Sequence, residues 1–116
     1  MTAPSLMTQP AVTFTVANRG LWRPFRERVA AAARVAVAGR PPLYGPVTVA
    51  VEIASPDPLG RERLRADAEE VLLALVGVVI YDSRQVLRLR CGQERGELAA
   101  RVEVSPWRGP REKVAS

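Results

Sequence analysis

Hydrophobic positions change period several times along this chain, and each change marks an element. Val12, Phe14 and Val16 alternate with threonines, which predicts a half-buried first strand. Asn18-Arg19-Gly20 is a turn signal. From Pro24, a good first-turn residue, apolar positions recur at Phe25, Val29, Ala32 or Ala33, and Ala36. Arg23, Arg26, Glu27, Arg28 and Arg34 cover the other side, so the spacing predicts a helix reaching about Val37. Residues 38–46 hold two glycines and three prolines and read as a loop. Val47, Val49, Val51 and Ile53 then alternate as a second strand.

Ser55-Pro56-Asp57-Pro58-Leu59-Gly60 is the next loop, with Asp57 placed to cap a helix and Pro58 in its first position. Leu64, Ala68, Val71, Leu72 and Leu75 share one helical face, and Gly77 stands where a C-terminal cap belongs. Residues 78–81 are β-branched and aromatic and predict a short strand; Asp82-Ser83-Arg84-Gln85 turns the chain. In residues 86–91, Leu87, Leu89 and Cys91 fall on one strand face and Arg88 and Arg90 on the other. Cys91 in that alternation reads as a small buried residue rather than a reactive thiol. Gln93-Glu94-Arg95-Gly96 is a turn, and Ala100, Val102 and Val104 alternate in a last strand.

The predicted order is β-α-β-α-β-β-β, an α/β (α+β) class with a small mixed sheet and two main helices. One domain over residues 11–105 is expected, between a loose tail of residues 1–10 and a basic tail of residues 106–116. No apolar run approaches the roughly 20 residues of a membrane span. The first residues lack the pattern of a secretory signal, so a cytoplasmic protein is expected.

Composition then removes whole classes of chemistry. The chain has no histidine and one cysteine. Histidine bases, Ser-His and Cys-His nucleophiles, histidine zinc sites and intrachain disulfides are all excluded. Hydrolysis would have to run on carboxylates with a hard metal ion. The net charge is +5 among 116 residues, and Lys113 is the only lysine. A GC-rich genome explains arginine in place of lysine, but not the excess of positive charge. Such a balance fits nucleic acid or an acidic surface, and the guanidinium fork suits phosphate.

Arg61, Arg63 and Arg65 gather near the start of the central helix, where cations oppose the helix dipole. An anionic ligand would explain them; so would i,i+4 pairing of Arg63 with Asp67 and Arg65 with Glu69. Arg84 lies in the acidic turn, and Arg88 and Arg90 share a strand face that suits either a phosphate backbone or plain solvent. Arg19, Arg23, Arg26 and Arg28 fit a solvated face. Trp22 and Trp107 fit stacking on bases or a place in the core or rim.

The run Val71-Leu72-Leu73-Ala74-Leu75, then Gly77, Val78-Val79-Ile80, Asp82 and Gln85-Val86, resembles the core of the RusA family of Holliday-junction resolvases. The resemblance spans roughly residues 12–104. It implies a small mixed sheet, a homodimer, and a magnesium-dependent endonuclease of DNA recombination and repair whose aspartates hold the metal. The sequence departs from the family at those aspartates. Aligned without gaps on Ala74-Leu75, the two opening aspartates fall on Arg63 and Arg65, the asparagine on Ala66 and the helix lysine on Glu69. The aspartate before alanine-leucine becomes Leu73. Of the paired turn aspartates, Asp82 remains and the second is Ser83.

A shifted alignment keeps an acidic cluster: Asp67, Glu69 and Glu70 with Asp82. Asp67, Glu70 and Asp82 would then be catalytic, with Glu69 joining them as a ligand of Mg²⁺. The leading expectation is a homodimer that binds branched or structured DNA through Arg61, Arg63, Arg65, Arg84, Arg88 and Arg90, with nuclease activity weakened or lost. An active Mg²⁺-dependent junction endonuclease and a basic module for an acidic protein partner are the alternatives.

Overall fold

The computed structural model describes residues 9–17 and 24–107, and the elements below are drawn from these. Strand β1 (Val12–Ala17) leads to helix α1 (Phe25–Val37), strand β2 (Val47–Ser55) and helix α2 (Arg61–Leu75). A short 3-10 turn (Ser83–Gln85) precedes strands β3 (Val86–Arg95) and β4 (Ala99–Pro106). The four strands form one mixed sheet in the order β1-β4-β2-β3. β4 runs antiparallel to both β1 and β2, whereas β2 and β3 are parallel and need the crossover that α2 supplies. The class expected from sequence is the one found.

Strict alternation builds the core. Val12, Phe14 and Val16, then Val47, Val49, Val51 and Ile53, then Ala100, Val102 and Val104 point to the helical layer and are buried. Val29, Ala33 and Val37 of α1 and Val71, Ala74 and Leu75 of α2 meet them in one hydrophobic cluster. Among the described residues, nothing covers the opposite face of the sheet. Its cross-strand rows are Thr13–Glu103–Ala50–Arg90 and Thr15–Arg101–Glu52–Gly92. Gly92 leaves room there for the Glu52 carboxylate, which would have to swing aside for a Cβ.

Four expectations need correction. Residues 78–81 do not form a strand. Gly77, at φ +86°, starts a tight turn in which the Leu75 carbonyl accepts N–H groups from Val78, Val79 and Ile80. Ile80 makes only isolated bridges to Leu43 and Val76, and Val79 and Ile80 plug the core. A short apolar run has no period that distinguishes a plug from a strand.

Asp57 caps no helix. Its N–H donates to Ser55 Oγ at 3.2 Å in a local turn, and α2 begins after Gly60 with no side-chain cap. The turn expected at Gln93–Gly96 is the continuation of β3 to Arg95; the chain reverses over residues 96–98. Cys91 is exposed rather than buried, because β3 is an edge strand that α2 only partly covers. Its Sγ donates to the Leu64 carbonyl at 3.5 Å. Partial desolvation, with the carboxylates of Asp67 and Glu52, pushes this thiol up.

The turn at Asn18-Arg19-Gly20, Trp22, Arg23, and most of both tails lie outside the described residues. No helix among the described residues is long and apolar enough to cross a membrane.

Candidate nucleic-acid interface

The local fold sorts the charged residues. Because α2 crosses back over β2 and β3, its first turn lies beside the middle of β3, where Cys91 reaches the Leu64 carbonyl. Arg61 and Arg65 flank Leu64, and Arg90 precedes Cys91 on the open face of the sheet. These three arginines straddle the β3 edge, are exposed, and have no ion-pair partner among the described residues. Arg88 shares the face of Arg90. Arg95, at the end of β3, is also exposed and unpaired; the turn expected at that position hid it.

The remaining candidates are engaged elsewhere. Arg63 lies 3.5 Å from Asp67, so one of the two expected i,i+4 pairs forms. The other, Arg65 with Glu69, does not. Arg26 of α1 grips Glu70 with two hydrogen bonds, at 3.1 and 3.0 Å. Those bonds hold the Glu70 carboxyl below its ordinary range. The Arg84 side chain, aided by the Arg84 N–H, does the same to Asp82. On the open sheet face, Arg101 reaches past the small Ala54 to Glu94 at 2.9 Å. Exposed pairs of this kind add little stability, but they do fix where each charge points.

The expected acidic cluster is not assembled. Asp67 lines a cavity with Phe25, Arg28 and Arg63. Asp82 lines a separate depression with Gly45, Pro46, Arg84 and Gln85, past the far end of α2. Glu70 to Leu75 alone spans roughly 7 Å of helix axis. Among the described residues, no three Asp, Glu, Cys or His side chains converge as a metal-holding group. The carboxylates present do not fit a Mg²⁺ site as they stand, since that ion requires near-octahedral oxygens at close range.

Asp82 also has a structural task. Its side chain caps the 3-10 turn by accepting from the Arg84 N–H at 2.8 Å. Gln85 completes the box: its Oε1 accepts from the N–H groups of Tyr81 and Asp82 at 2.7 and 2.9 Å. Its Nε2 donates to the carbonyls of Leu43 and Gly45 at 2.9 and 2.8 Å. The other two glutamines of the chain work in the same way. Gln93 ties the loop at Asp57 and Leu59 to β3, and Gln9 bonds both the N–H and the carbonyl of Tyr44. No periodicity announces a glutamine clamp, and the sequence reading missed all three.

Trp107 follows β4, half-exposed, with its N–H donating to the Pro46 carbonyl at 2.9 Å. No protein-family model matches this chain, and no curated protein sequence matches it.

Proposed function

We propose that this protein is a RusA-like module that binds the backbone of branched or otherwise structured DNA and does not cut it. The observation that carries the reading is the division of charge. Arg61, Arg65 and Arg90 straddle one strand edge without carboxylate partners, while Asp67, Glu70 and Asp82 are each held by an arginine. Unpaired guanidinium groups along an edge suit phosphates, whose binding releases counterions. Carboxylates already neutralised, and lying in separate cavities, favour lost over retained nuclease activity. An acidic protein partner would use the same arginines; it would not distinguish a junction from a linear duplex.

The chemical part is tested by incubating the full chain with labelled four-way junction and Mg²⁺. Intact junction after a long incubation is the expected result. Cleavage that disappears in Asp82→Asn with Glu70→Gln would instead establish the magnesium endonuclease.

The proposed homodimer needs a free surface on which two copies can meet. The apolar last strand, β4, is interior, so it offers no free edge. β3 does, and Leu87 and Leu89 are exposed on it. Antiparallel pairing of two β3 strands about Cys91 would bring the two Cys91 side chains together, leaving Arg90 on the open face of the joined sheet and Arg61 and Arg65 on its helical side. Mild oxidation should then trap a covalent dimer that Cys91→Ser abolishes. A monomer in sedimentation at micromolar concentration, with no crosslink, would contradict this assembly.

A further inference from the structure

We propose that Tyr44 and Tyr81 form a stacking platform for an unpaired nucleobase, a site that rests on the nucleic-acid reading and adds a second kind of contact to it. Leu43 and Ile80 are buried partners in a parallel bridge, with the Leu43 N–H on the Val79 carbonyl at 2.6 Å. Tyr44 and Tyr81, the residues that follow them in the chain, line one cleft. Both are 58% exposed, and they are the only tyrosines of the chain.

Two rings left in water at adjacent positions usually cost something, and here their backbones are held rigidly. Gln85 bonds the Tyr81 N–H, while Gln9 bonds the N–H and carbonyl of Tyr44. The rings border an apolar cleft of about 260 Å³ floored by Val12, Val37, Leu43 and Val79. Among the described residues, Arg40 is the only charged one in its lining; its guanidinium is fixed on the carbonyls of Val37 and Ala36 at the end of α1.

Those features select the occupant. A flat, apolar-faced group meets the rings, and the charge that Arg40 brings to the cleft is positive, which suits a ligand with an anionic backbone. A nucleotide unstacked from its strand has both properties. A proline-rich peptide would use the rings but gain nothing from the cation.

The test uses the full chain with three labelled probes: a short adenine-rich single strand, a fully paired duplex and a proline-rich peptide. Tyr44→Ala and Tyr81→Ala should each weaken single-strand binding about tenfold and leave duplex binding unchanged, while the phenylalanine variants keep both. Duplex binding that persists alongside single-strand binding unaffected by either alanine would overturn the platform and spare the arginine interface. Failure of the wild type to bind either DNA would overturn both. Peptide binding lost in the alanine variants, with the single strand unaffected, would assign the cleft to a protein partner. Folding does not confuse these outcomes, because both side chains are exposed.

Discussion

Replacing Gln85 with alanine is expected to destabilise the fold by about 2–4 kcal/mol, the sum of four modest hydrogen bonds, two of them at part-buried groups. The amide is fully used: two N–H groups enter its oxygen and two carbonyls take its nitrogen. No rearrangement of the remaining side chains replaces all four at once. In a domain of this size the loss amounts to a fall in melting temperature of roughly 10–25 °C. Gln85→Glu keeps the acceptor but turns a carboxylate toward the Leu43 and Gly45 carbonyls, so its cost should be comparable. Denaturant titration followed by tryptophan fluorescence or circular dichroism measures both. A Gln85→Ala protein within about 0.5 kcal/mol of wild type would mean that water replaces the clamp freely.

The second large effect is on binding. Changing Arg61, Arg65 and Arg90 together to glutamine should weaken DNA affinity by roughly 3 kcal/mol or more, over a hundredfold in Kd, at about 1 or more per lost phosphate contact. The slope of log Kd against log salt should fall by about 3, one counterion for each contact. All three side chains are exposed and have no ion-pair partner among the described residues, so the fold should be unaffected. Arg63→Gln alone serves as the comparison. That arginine is already committed to Asp67, and its removal should cost less than that of either neighbour. Equal losses from all four positions would show that the ion pair does not direct the charge.

The two kinds of residue differ in how far they can be read from sequence. Strand alternation at Val12–Val16, Val47–Ile53 and Ala100–Val104 was legible because one face of the sheet is buried and the other is bare. Both helices were legible from their apolar stripes. The segment at Val79 and Ile80 was not, because a plug turned under a helix end and a buried strand present the same apolar run.

Cys91 and Leu89 were misjudged or unplaced for a topological reason. Alternation shows which residues share a face, but strand order decides whether that face is covered, and β3 happens to be an edge. The arginines were visible as candidates from composition and position. Which of them are unpaired depends on contacts between elements distant in sequence, such as Arg26 with Glu70, 44 residues apart. The tyrosine pair was invisible for the same reason: Tyr44 and Tyr81 border one cleft because Leu43 and Ile80 bring their segments together.

The central claim is that unpaired arginines on the β3 edge bind structured DNA through its backbone. Fluorescence anisotropy of the wild-type chain on a four-way junction and on a linear duplex of the same composition, across a salt series, tests it most directly. Tighter binding to the junction is expected, with both affinities falling steeply as salt rises. No binding to either DNA at low salt, or binding that salt leaves unchanged, would contradict it.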